Sequence, residues 1–269
     1  MATNINSSDS FSLVRVGALF SFYGSTLRRQ TLVYICVSFI LSWLLLIPGD
    51  EELRVTLFGG LFSVLGWMLY LSPLSMTSRG RLSLVDTLLP VKASEKLVFF
   101  LIYFWVIIPF TLYLFPSLFE WWMINHPATF SPSVETLLKL QISPSFLMFM
   151  MNVCGAMWVT VTCLYMVIYA RRNRALYGII GAMGVQIVLG FVGGIYGGIM
   201  AFKKGFADAA AGKESPFDCK GTSEAEFIQD FTKNVLESPY MSIIIVIEVA
   251  AIVAMTVALY RLLRKPNRS

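Results

Sequence analysis

The chain has 269 residues, 57% of them hydrophobic, and a mean hydropathy of +0.70. Soluble domains are roughly 45–50% apolar, so a water-soluble fold is excluded and the bilayer must be the solvent for most of the chain. Charged residues make up only 14%, and the net charge of +5 marks orientation in a membrane rather than a nucleic-acid partner, because the basic residues gather at the ends of apolar runs.

The N-terminus, MATNINSSDSFSLVRVGALF, lacks a basic start leading to a small-residue cleavage site, so it does not read as a cleaved signal peptide. Over 11–27, Leu13, Val16, Leu19, Phe20, Tyr23 and Leu27 recur every three or four residues, with Arg15, Arg28 and Arg29 nearby. That pattern predicts an interfacial amphipathic helix leading into a first span. Six apolar stretches follow, at about 31–47, 55–74, 97–116, 145–170, 175–202 and 240–263, each long enough to cross the bilayer with its aromatic flanks. The expected fold is an all-α polytopic bundle of about six transmembrane helices in a single domain. Pro48, Gly49 and Asp50 make the first two spans a tight hairpin.

Between spans two and three, residues 75–96 read SMTSRGRLSLVDTLLPVKASEK. Leu82, Val85, Leu88 and Leu89 share one face, bordered by Arg79, Arg81 and Asp86; Pro90 stops the turn and Ser94 is placed to cap a new helix. The segment predicts a short helix parallel to the membrane, either a plain connector or a docking element. Phe119, Trp121 and Trp122 in the segment 117–143 suit an aromatic interface belt. In 203–239, Ser223 to Glu226 form a capping box for a helix bearing Phe227, Ile228, Phe231 and Val235 on one face. The fifth span carries Gly190, Gly193, Gly194, Gly197 and Gly198, small residues that let another backbone approach, while Gln186 is expected to bond across helices.

Fourteen basic residues fall on one side of this scheme (Arg15, Arg28, Arg29, Arg79, Arg81, Lys92, Lys96, Arg171, Arg172, Arg174, Arg261, Arg264, Lys265, Arg268), against three acids there. The other side has seven basic residues and twelve acids. Lys and Arg are retained inside, so both termini are expected in the cytoplasm.

Little in the chain suggests catalysis. Cys36, Cys154 and Cys163 lie in apolar runs and only Cys219 in a hydrophilic one, which argues against a disulfide framework. His126 has no cluster of ligands around it, so no metal or other cofactor is expected. The glycine-rich 205–215 fails as a phosphate loop, since six residues separate Gly205 from Gly212 and Glu214 follows Lys213. The exception is Glu248, an acid deep in the last span. Its cost in hydrocarbon requires that it face the bundle interior or be protonated, with Asn152 and Tyr196 at similar depth as candidate partners. It is either a proton or substrate contact or a polar clamp between spans. An intramembrane enzyme would need a second catalytic group, which is missing.

Residues Leu89, Pro90, Val91, Lys92, Ala93, Ser94, Glu95 and Lys96 resemble a segment of permease subunits of type-two ABC exporters, particularly those of Bacteroidetes, in the spacing from Leu-Pro to Glu-Lys. Lys92 stands where that pattern has Ser, and Ser94 falls two places later. The layout of an amphipathic N-terminal helix, six spans and a helix between spans two and three is also similar to that family. The resemblance implies a transport function in a bacterial inner membrane, as a homo- or heterodimer with a separate cytoplasmic ABC ATPase docked on Arg79, Arg81, Leu82, Val85, Asp86 and Leu89. A sensor, assembly or immunity factor is the alternative expectation.

Overall fold

A computed structural model describes residues 11–44, 51–77, 91–125, 146–170, 172–210 and 239–264, which form helices and no strand. The predicted docking segment at 78–89, with Arg79, Arg81, Leu82, Val85, Asp86 and Leu89, lies outside the described residues, as do Ser223 to Val235, His126 and Cys219.

Helix α1 (Leu13–Leu44) is one unbroken helix of 32 residues. The separate amphipathic helix expected over 11–27 and the span expected over 31–47 are therefore a single element. The physical reason is that Arg28, Arg29 and Gln30 are good helix formers, and no proline or glycine follows Gly24 before the helix ends. Its buried stripe, Val16, Leu19, Tyr23, Leu27, Gln30, Tyr34 and Ser38, keeps the three-and-four spacing throughout.

Helix α2 (Glu51–Leu71) buries Leu61, Leu65 and Leu69 and tightens into a 3-10 turn, Ser72–Thr77, where Pro73 cannot continue the α-helical ladder. Helix α3 (Ala93–Ile102) runs through a π-helical turn, Tyr103–Ile107, into α4 (Ile108–Asn125). In that turn the Ile108 N–H donates to the Tyr103 carbonyl, five residues back. Pro109 explains the widening: it has no N–H to offer and its ring crowds the carbonyl four residues before it. Helix α4 continues past the expected end of its span near 116, with Pro116 inside it, so Phe119, Trp121 and Trp122 belong to the same helix.

Helices α5 (Phe146–Tyr169) and α6 (Arg174–Ala210) form an antiparallel pair. Asn173 turns the corner in the left-handed region, with φ of 53°, a conformation that asparagine tolerates better than most residues. Gly178 and Gly181 make the close approach. A Cβ on Gly178 would lie 2.5 Å from Leu74 Cδ2 and 2.7 Å from Val167 Cγ2, and one on Gly181 would lie 2.8 Å from Met166 Cγ. Among the described residues, nothing lies within 4 Å of a Cβ built on Gly190, Gly193, Gly194 or Gly198, the glycines expected to let another backbone approach. Helix α7 (Pro239–Arg264) packs along α5 and against α3.

The main core gathers Leu19 and Tyr23 of α1, Leu65 of α2, Phe99 and Phe100 of α3, Ile108 and Leu112 of α4, Leu164 of α5 and Leu259 of α7. Aromatic rings set its geometry, with Tyr23 stacked on Phe99 at 5.3 Å and Phe20 edge-on to Phe99 at 4.7 Å. Four helical stretches, Ala93–Leu118, Met150–Tyr169, Arg174–Ile195 and Ser242–Arg264, are long and apolar enough to cross a membrane. Shorter apolar stretches, Leu13–Gly24 and Gly59–Leu74, lie in α1 and α2. The protein is an all-α membrane protein.

Candidate functional site

Where α1 and α3 begin, a buried carboxylate ties them together. Lys92 is the N-cap of α3, with extended φ −72° and ψ 156°, and Glu95 occupies the third helical position. Its Oε2 accepts the Lys92 N–H at 3.0 Å. Its Oε1 accepts the Ser12 N–H at 2.9 Å and the Arg15 Nε–H at 2.8 Å, with Arg15 Nη2 at 2.7 Å. Ser12 immediately precedes α1. The carboxylate therefore sits before the N-termini of two helices at once, where both macrodipoles and the free N–H groups of the first turns favour a negative charge. The Glu95 side chain is 0% exposed and that of Arg15 29%. Beside the carboxylate, the Arg15 guanidinium is held above its ordinary pKa by the hydrogen bond to Glu95.

Ser94 does not cap this helix, contrary to the sequence expectation. It lies inside the first turn, and Glu95 reaches back to the N-cap N–H in its place, half of a capping box. The link from Glu95 to Arg15 crosses 80 positions of sequence, and no local pattern announces it.

A second polar node lies inside the bundle. Gln30 donates from Nε2 to the Tyr34 hydroxyl at 2.9 Å and to the Ser72 carbonyl at 3.2 Å, while the Tyr103 hydroxyl donates to Gln30 Oε1 at 2.9 Å. One amide thus joins α1, the end of α2 and the π-turn. Farther along α1, the Ser38 hydroxyl donates to the Leu112 carbonyl at 2.8 Å. Sequence reasoning missed Gln30, although a polar residue in register with Leu27 and Tyr34 was the available signal. The expected interhelical role of Gln186 is met by a side-chain hydrogen bond with Tyr70.

Glu248 is buried at 2% exposure, facing α5. Its Oε1 lies 3.8 Å from where a Gly155 Cβ would stand, and Leu189 Cδ1 of α6 lies 3.5 Å from the same point. Its Oε2 is buried without a hydrogen-bond partner. Asn152, expected as a partner, is exposed. The side chain of Tyr196 lies outside the described residues. Among the described residues, no three His, Cys, Asp or Glu side chains cluster as metal ligands would.

No protein-family model, curated protein or solved structure matches the chain.

Proposed function

We propose that the protein is the membrane-spanning permease subunit of an ABC-type exporter in a bacterial inner membrane, energised by a separate cytoplasmic ATPase and working as a dimer. The observation that carries this reading is the Glu95 clamp. The segment 78–89, assigned to ATPase docking by the family resemblance, leads directly into Val91 and the start of α3. Glu95 binds that start to Ser12 and Arg15. A push on the docking segment then reaches two helices together, α3 through the chain and α1 through the carboxylate.

The topology that fits has six spans with both termini in the cytoplasm, α1 and α2 supplying the two spans beyond the four longest apolar stretches. It places Arg15, Lys92, Lys96, Arg172, Arg174, Arg261 and Arg264 on the cytoplasmic side, where basic residues are retained.

The test is to purify the tagged protein in mild detergent from its native membrane and identify what comes with it. A stoichiometric ABC ATPase, lost on deletion of 78–89 and weakened by changing Arg81 and Asp86, is the expected result. If no ATPase is retained, or if deleting 78–89 leaves it bound, the exporter assignment fails and a sensor, assembly or immunity factor takes its place.

A further inference from the structure

The seam between α5 and α7 contains a carboxyl group that no described residue neutralises. Among the described residues, no cation approaches Glu248, and its Oε2 has no donor. The groups facing it are Gly155 and the Cys154 thiol of α5 together with Leu189 of α6. Cys154 is the one titratable side chain among them, and it is acidic rather than basic, so it offers an ionised Glu248 no compensation. A polar clamp would have satisfied both carboxyl oxygens, and this one does not.

The surroundings are shaped for an uncharged group. Because Gly155 carries no side chain, it leaves the α5 backbone open beside the carboxyl, and a methyl there would stand 3.5 Å from Leu189 Cδ1 and 3.8 Å from Glu248 Oε1, ordinary contact distances. Two further hydroxyls in these helices, Thr162 Oγ1 of α5 and Thr256 Oγ1 of α7, are buried without partners. Each lies about two turns along its helix, from Gly155 and from Glu248 respectively. A buried polar atom left open is where a proton or a water molecule can be exchanged once the helices part.

We propose that Glu248 is a proton-binding site inside the membrane, holding the neutral acid while the α5–α7 seam is closed and releasing its proton when the seam opens to water. On release the O–H bond breaks, its electron pair stays on the carboxylate, and the proton passes to water. On closure the reverse transfer restores the neutral acid, because an ionised carboxylate would lose its hydration with no donor to replace it. The site does not depend on which machinery the protein serves, and its failure would leave the exporter reading untouched.

Infrared difference spectroscopy of the full chain in lipid nanodiscs at neutral pH tests this. Subtracting the spectrum of Glu248→Gln from that of the unaltered protein is expected to leave the C=O stretching band of one protonated carboxyl. The band should shift only slowly after transfer to heavy water, since the group is enclosed. No such band, as for a carboxylate ionised beside a bound inorganic cation, overturns the proposal. Should Glu248→Gln fail to fold, Glu248→Asp keeps a carboxyl on a shorter stem; a shifted band supports the site and an unmoved one overturns it.

Discussion

Replacing Glu95 with Gln keeps the shape of the side chain and removes its charge. The amide retains one oxygen, which can serve either Ser12 and Arg15 or Lys92, but not both sets. Its NH2 group must then face an N–H donor, so at least one buried charge-assisted hydrogen bond is lost. Hydrogen bonds to charged groups contribute about 1.5–3 kcal/mol each, so the unfolding equilibrium should shift by about ten- to a hundredfold. Arg15→Gln should cost less, because the guanidinium is partly exposed and Glu95 keeps its two backbone donors.

The protein carries its own reporters for this measurement. Cys154 and Cys163 are buried thiols, whereas Cys36 is exposed, so a maleimide dye that fluoresces on reaction reads unfolding as the delayed part of the signal. Glu95→Gln, Arg15→Gln and the double variant form a cycle, and the double variant should fall well short of the summed losses. Strict additivity, or a Glu95→Gln melt indistinguishable from that of the unaltered chain, would refute the claim that the clamp holds α1 to α3.

Gly178→Ala should destabilise by about 1–3 kcal/mol, since its methyl meets Leu74 and Val167 well inside contact distance. Gly190→Ala should be neutral or stabilising by up to about 1 kcal/mol, because among the described residues nothing lies within 4 Å of a methyl there and alanine is the better helix former; the same thiol assay separates the two. Tyr103→Phe removes the hydroxyl that donates to Gln30 Oε1 in the bundle interior and should cost about 1–2 kcal/mol by the same unfolding curve. Pro109→Ala returns the missing N–H, and the π-turn at Tyr103–Ile107 is expected to relax to ordinary α-helix, seen as an altered amide exchange pattern confined to that turn.

Helices were legible from apolar run length because that property is local. The six apolar stretches correspond to the long helical elements, and the buried face of α1 follows the spacing of Val16, Leu19, Tyr23 and Leu27. Features that depend on what packs alongside were not legible. Glycine spacing told where a neighbour could come close, and among the described residues the close approach is at Gly178 and Gly181, opposite Val167 and Met166. Glu95 read as one acid among basic residues, and its partner lay 80 positions away on another helix. Depth alone suggested Asn152 for Glu248, but Asn152 is exposed while Glu248 is buried. The π-turn had a local cause in Pro109, visible in the sequence but ambiguous there, since proline can as readily kink a helix as widen it.

The continuity of α1 has a mechanical consequence. From Gln30, where its amide is held by two other elements, to Ser12 at the carboxylate is 18 residues, about 27 Å of rigid rod. A tilt of about 5° around Gln30 would carry Ser12 and Arg15 roughly 2 Å sideways, enough to undo contacts of hydrogen-bond length. The rod thus magnifies the rotation along its length: the tilt shifts Tyr23 against Phe99 by about 1 Å and the end at Ser12 by about twice that. The contacts at Glu95, at the far end of this lever, are therefore the first that a tilt of α1 would break.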